Sequence, residues 1–220
     1  TLNIDSTDSV SLNAAFSVNT LNLSGGTLRR STPGNITIAG AFNVSGGSIV
    51  GSGSDLLITA GTTTVSAPVV TTRWWTNQGT LDLTGTGEIS LLSGGVTFTN
   101  QGTLNLTTSD LTPFSTNGGA PIINASGGII NKNSAGVTDF GNPFSNQSGG
   151  NVNVNSGTLQ ISNFTSNTND GAINVAASAT LSTGGNSLTN AASGVIAGAG
   201  TINLTSATLT NIGTIRPAGA

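Results

Sequence analysis

The chain has 220 residues, 32 of them glycine, with 35% hydrophobic side chains and only 6% charged ones, against roughly a quarter charged in an ordinary globular domain. Disorder is excluded, because disordered segments combine low hydrophobicity with high net charge and the net charge here is −3. Five basic residues cannot build the cationic stripe that a nucleic-acid interface needs.

Nothing in the sequence reads as a membrane span or as a basic amphipathic helix, so neither nucleic acid nor membrane insertion is expected. Cysteine, histidine, methionine and tyrosine are all absent. Disulfides, thiolate nucleophiles and histidine metal sites are therefore excluded, and no metal or cofactor is expected. A chain without its most oxidation-prone side chains suits an extracellular or cell-surface location. It begins at Thr1 without an initiator methionine or signal peptide, so a processed product or an excerpt of a longer protein is expected.

Taken in chain order, the elements are short alternating strands announced by glycine turns. Residues 1–4, TLNI, and 9–12, SVSL, form a degenerate first copy. Next come PGNITI with Gly34 and SGSDLLI with Gly53. The octets TNQGTLDL (76–83) and TNQGTLNL (99–106) follow, identical except for Asp82 against Asn105, with Gly79 and Gly102 as anchors. Downstream copies carry Gly128, Gly150, Gly171, Gly194 and Gly213. The gaps between these anchors run from 19 to 26 residues, with a mean of about 22.

Each unit opens with a period-two strand, which buries one face and wets the other. Leu81 and Leu83, Leu104 and Leu106, Val152 and Val154, Ile173 and Val175, and Ile202 and Leu204 are predicted to point inward. Thr80, Asp82, Asn105 and Asn153 are predicted to point outward, stacking in side-chain ladders. A second or third short strand follows inside most units, such as EISLL, VTF, TLQI and ATL. The turn glycines are expected to supply positive φ.

A coil of that size is one rung of a parallel β-helix. The prediction is an all-β single domain over residues 1–220: a β-solenoid of about nine or ten rungs, a rod of roughly 45–50 Å. An antiparallel sandwich has no reason to reuse one strand sequence every 23 residues.

The stretches VTFTNQGTLNL (96–106), SLTNAASGVIAGAGTINL (187–204) and ATLTNIGTIRPAGA (207–220) resemble the repeats of large secreted bacterial β-solenoids. These are the filamentous-haemagglutinin-like and autotransporter-passenger adhesins, with their tNxGTI units. The resemblance implies secretion, a surface or matrix location, and an adhesive or scaffolding role. It brings no catalytic motif onto these residues.

The acids are Asp5, Asp8, Asp55, Asp82, Glu88, Asp110, Asp139 and Asp170. Polysaccharide-cleaving chemistry needs two carboxylates about 5–9 Å apart. Asp82 and Glu88 are near each other in sequence, but Asp82 faces Asn105 one unit on, and the acids read as solvated surface groups. GGxGxD calcium repeats are missing. Sequons such as those at Asn35, Asn105 and Asn163 are expected by chance in so Asn/Thr-rich a chain. Thr-x-Thr stretches at 62–64 and 208–210 are isolated, and the outward positions mix Thr, Asn, Asp and Gln, which argues against ice binding. Arg73-Trp74-Trp75 holds both tryptophans. In a strand one ring packs inside and the other is available to a sugar ring or another subunit. Arg29-Arg30 reads as a surface turn.

The expected function is a non-enzymatic extracellular structural protein, a β-solenoid of a surface fibre, matrix filament or adhesin stalk. A carbohydrate-binding adhesin module using Arg73, Trp74 and Trp75 is the alternative, with surface glycans as partner. A polysaccharide-degrading β-helix enzyme is the further alternative. No capping helix is readable, so self-association end to end, or flanking repeats of the same chain, is expected.

Overall fold

The computed structural model describes residues 1–12, 16–30, 32–51, 55–92, 95–116, 119–163 and 166–218. It is a parallel β-solenoid of about ten turns with a repeat of about 21 residues, and no helix is formed among the described residues. Each turn lays a strand on each of three faces. The first face stacks Leu56–Thr59, Trp74–Asn77, Phe98–Asn100, Ile122–Asn124, Phe144–Asn146, Thr168–Asn169, Leu188–Asn190 and Leu209–Asn211. The second face stacks Thr62–Val65, Thr80–Leu83, Thr103–Leu106, Ile129–Lys132, Asn151–Val154, Ala172–Val175, Val195–Gly198 and Thr214–Pro217. Near the N-terminus, Phe16–Arg30 and Ile36–Val50 run on through all three faces, and the pairing between them shifts register where they bend.

The third face is built in two parts. Val69–Thr71, Ile89–Leu91 and Phe114–Thr116 continue the large sheet. Val137–Phe140, Thr158–Ile161, Thr180–Ser182 and Thr201–Asn203 form a separate four-stranded sheet. At the change-over the Asp139 amide donates to Leu111 O at 2.6 Å, so the upper sheet starts on the loop before Phe114–Thr116 rather than on that strand.

The repeated octet is explained by register. Leu104 lies over Leu81, Asn105 over Asp82 and Leu106 over Leu83. Gly79 and Gly102 are one strand spacing apart, since Thr103 N–H donates to Gly79 O at 2.8 Å. The column passes on through Gly128, Gly150, Gly171, Gly194 and Gly213. Upstream it runs through Gly61 and Gly40, not Gly34, which precedes a first-face strand; Gly53 lies outside the described residues.

These glycines are needed for space rather than for positive φ. A Cβ on Gly79 would stand 2.0 Å from Gly61 O, and one on Gly102 would stand 2.1 Å from Gly79 O. In the Ser-Gly-Gly turns that carry Gly128 and Gly150, positive φ belongs to the first glycine, Gly127 (81°) and Gly149 (82°). Gly128 and Gly150, the second glycines, take the crowded position.

Alternation places Leu81, Leu83, Leu104, Leu106, Val152, Val154, Ile173 and Val175 in the core. Ile202 and Leu204, on the last described turn, are only half-buried because no described strand lies above them. An aromatic row threads the interior: Phe42, Trp75, Phe98, Phe114, Phe140 and Phe144, with successive ring centroids 4.7–6.5 Å apart. Pro68, Pro113, Pro121 and Pro143 each stand just before a strand. Pro113, Pro121 and Pro143 give only their carbonyls, to the amides of Ile89, Phe98 and Ile122 on the turn below.

Asparagine was expected outside, yet a buried asparagine ladder runs along the corner between the first and second faces. Asn77 Nδ2 donates to Asn100 Oδ1 at 2.8 Å, Asn100 to Asn124 at 2.9 Å, and Asn124 to Asn146 at 2.8 Å. Asn146, Asn169, Asn190 and Asn211 continue at 2.7 Å per step. The second amide proton goes to corner carbonyls, as from Asn100 to Gly102 O and Ile129 O. Apart from the topmost member, Asn211, the ladder is fully buried.

An outer ladder also exists, as expected. Asn174, Asn153, Asn131 and Asn105 each donate to the residue one turn below, and the run ends on the Asp82 carboxylate.

Asn124→Ala is expected to cost about 3 kcal/mol, because it strands buried amide groups above and below it. Asn131→Ala should stay within about 1 kcal/mol, since its partners reach water. Asp82→Asn should be nearly neutral. Equal losses for the two alanine variants in urea denaturation would remove the inner ladder's special role. Leu104→Asp should abolish the cooperative transition, because an unpaired charge would sit in the core; an unchanged melt would contradict the register.

Candidate functional site

Arg73, Trp74 and Trp75 close the corner where the chain enters the first face. Arg73 has no surface to offer a ligand. It is fully buried: Nε donates to Val50 O at 3.1 Å, a terminal nitrogen donates to Gly34 O at 2.9 Å, and the other lies 3.7 Å from the Asp55 carboxylate. Burial pulls the guanidinium pKa down, while Asp55 opposes that shift. Asp55 also accepts the Gly34 amide at 2.7 Å. Trp75 is buried in the aromatic row with its Nε1 on Thr59 Oγ1 at 3.2 Å. Trp74 faces outward and is 38% exposed. Of the three, only this indole can meet a partner.

The eight acids are engaged by neighbouring groups of the chain. Each accepts a hydrogen bond from a nearby backbone or side-chain group. Asp5 takes the Thr7 amide, Asp8 the Asp5 amide, Asp110 the Thr112 amide and Asp170 the Ser193 hydroxyl. Asp82 takes Asn105, Asp139 takes Gln160, and Glu88 takes Ser90 and Ser115. No group of three His, Cys, Asp or Glu among the described residues could hold a metal. Arg30 lies at the end of a strand rather than in a turn, donating to Asn35 O at 3.1 Å.

The outward columns differ by face, which the mixed composition concealed. On the second face the central outward column is largely Asn and Asp. On the first face it reads Thr37, Ile58, Thr76, Thr99, Ile123, Ser145, Thr168, Thr189 and Thr210. Nothing ionisable stands in that column. Of the Thr62–Thr64 run, Thr63 points into the core. The three named sequon asparagines are engaged between turns: Asn35 Oδ1 accepts the Leu56 amide, Asn105 belongs to the outer ladder, and Asn163 donates to Gly141 O at 2.9 Å.

Lys132 is the residue that sequence reasoning passed over. It occupies a core position between Leu106 and Val154 and is fully buried. Its ammonium donates to Gly136 O at 2.8 Å, to Ser156 O at 2.9 Å and to Ser134 O. Burial pushes its pKa down to about 8, while three carbonyl acceptors favour the charged form. The signal was available: at this position in the alternation its neighbours are Leu106 and Val154.

This lysine makes alkaline stability readable. Between pH 8 and 10.5 the folded chain holds a neutral amine and the unfolded chain a charged one, so the unfolded state binds more protons and stability rises with pH. The gain across that window is about 3 kcal/mol at most. The chain has no other lysine and no tyrosine or cysteine. Lys132→Met should flatten the profile and lower stability at pH 7 by about 1–3 kcal/mol, because Ser134 O, Gly136 O and Ser156 O lose their donor. A Lys132→Met profile that still rises with pH would contradict the assignment.

No protein-family model, curated protein or solved structure matches this chain, so its own geometry carries the functional reading.

Proposed function

We propose that the chain is a non-enzymatic structural rod, an extracellular β-solenoid that forms or belongs to a surface fibre, a matrix filament or an adhesin stalk. The observation that carries this reading is how the polar groups are used. Every acid accepts a hydrogen bond within the chain, Arg73 and Lys132 are sealed against backbone carbonyls, and two amide ladders tie turn to turn. Side chains committed in this way hold a shape. A hydrolase needs two carboxylates facing a common space, and here the carboxylates are engaged separately.

Partners of the rod are further copies, or flanking turns of the same chain. Among the described residues, no strand pairs above Thr201–Asn203, Leu209–Asn211 or Thr214–Pro217. Beside them Val175, Ile196, Ile202 and Ile215 line an apolar recess of about 180 Å³. Ile212 and Ile215 are exposed. Another turn of parallel strands would cover these groups and satisfy the edge.

Electron micrographs of the purified chain should show straight rods longer than the roughly 45–50 Å of a single copy, formed alike at low and high salt because backbone pairing involves no ion pairs. Ile215→Arg should reduce this association several-fold by light scattering. Monodisperse single rods at high concentration would overturn end-to-end assembly. Release of reducing sugars from neutral or acidic polysaccharides would overturn the non-enzymatic reading.

A further inference from the structure

The repeated octet has an outward side as well as an inward one. On one turn Trp74, Thr76 and Gln78 alternate outward; one turn above, Thr97, Thr99 and Gln101 do the same. Leu56 and Ile58 lie below this patch, and Pro121 and Ile123 above it. None of these ten side chains is ionisable.

The patch is held rigid from behind. Trp74 N–H donates to Asp55 O at 3.1 Å, Arg73 before it is fixed by three backbone carbonyls, and Trp75 after it is locked in the aromatic row. Gln78 Nε2 donates to Gln101 Oε1 at 3.2 Å. That bond leaves Gln78 Oε1 as an acceptor and Gln101 Nε2 as a donor, facing solvent on adjacent turns.

We propose that this two-turn patch binds an uncharged polysaccharide of equatorially linked pyranose rings. Such a ring offers a flat face of axial C–H groups, which stacks on an indole. Its edge carries hydroxyls that both donate and accept, matching the two glutamine amides and the Thr76 and Thr99 hydroxyls. The absence of charge selects against acidic sugars, because their carboxylates would lose water with nothing to pair them.

A protein partner fits the patch less well. The uncharged strip of the first face runs from the turn of Thr37 to that of Ser145, below Asp170, and measures about 29 Å by 13 Å, roughly 400 Å², whereas a stable protein contact covers about 800 Å² per partner. The proposal goes beyond the rod reading and does not rest on it, since a rod holds its shape whatever its surface binds.

The test uses cellohexaose and chitohexaose as probes on the intact chain. Trp75 is fully buried and Trp74 is exposed, so acrylamide-quenchable tryptophan emission reports Trp74. Either oligosaccharide should protect it saturably, at millimolar to high-micromolar concentration and independently of salt. Trp74→Ala should weaken retention on the insoluble parent polymer at least tenfold, with an unchanged melt. Trp74→Phe, which keeps a ring, should stay within a few-fold of the parent. The double variant Gln78→Ala, Gln101→Ala should lose several-fold, and Leu111→Ala on the third face nothing.

Absence of saturable protection by both probes overturns the proposal, as does retention that survives Trp74→Ala. Preference for polygalacturonate overturns the neutral ligand. A dimer that Trp74→Ala converts to monomer places a second copy on the patch and overturns the sugar. Failure of rod assembly leaves these readouts untouched, so the two readings fall separately.

Discussion

The structure depends on the hydrogen bonding of one side chain, the buried corner asparagine. A solenoid turn must change direction three times, and at each corner some carbonyls leave the sheet ladder and need donors where water cannot reach. The asparagine amide accepts from the turn below, donates to the turn above, and sends its remaining proton to a corner carbonyl. Every polar atom is thus used, which is the condition for a buried polar network to stabilise rather than cost. Each amide can do this only at one strand spacing from the next. The glycine beside it must lack a Cβ, because the backbones meet at that same spacing. At the foot of the ladder the Trp75 indole donates to Thr59, and Thr59 donates to Asn77. The aromatic row and the amide row are therefore joined.

The two ladders run in opposite senses, and below Thr64 Asn43 and Asn22 donate downward as the upper outer asparagines do. Asp82 is a carboxylate and can only accept, so Asn105 must turn its NH₂ group down toward it, and Asn131 and Asn153 follow. In the inner ladder the donors point up, because the corner carbonyls of the next turn lie there. The amide dipoles of the two rows oppose each other, so the rod accumulates little net moment from them. Thr64 interrupts the outer ladder between Asn43 and Asp82.

The rungs were legible because the octet repeats a strand and its turn with one substitution, and alternation then assigns Leu81, Leu83, Leu104 and Leu106 to the core. Three features were not. The inner asparagines escaped notice because their spacing to the column glycine takes two values: two residues in Asn77-Gln-Gly79 and four in Asn124-Ala-Ser-Gly-Gly128. The upstream glycine register slipped to Gly34 because Pro-Gly before an alternating strand looks the same at any corner. Arg73 was expected at a ligand contact because arginine is normally exposed, and nothing local shows that three backbone carbonyls from separate segments converge on it. Of the patch, the exposed indole was foreseeable from strand alternation. Its Gln78–Gln101 partners needed the register.

The third face gives a reason for the buried lysine. Residues 107–113 form a longer connection than the three residues 155–157 that join the same faces higher up. The sheet therefore steps, and the strand Phe114–Thr116 loses its upper neighbour. The first and second faces, the inner ladder and the Phe114–Phe140 contact cross the step intact. Lys132 stands at the end of the second-face strand that leads into the first strand of the new sheet. Its ammonium gathers Ser134 O and Gly136 O from that connection and Ser156 O from the next one up. A leucine there would fill the core equally well but would leave the entry to the new sheet without a donor. A buried cation gives poor value as a source of stability. Its worth here is positional, because three carbonyls on two turns can share one ammonium only when the new sheet begins in this register.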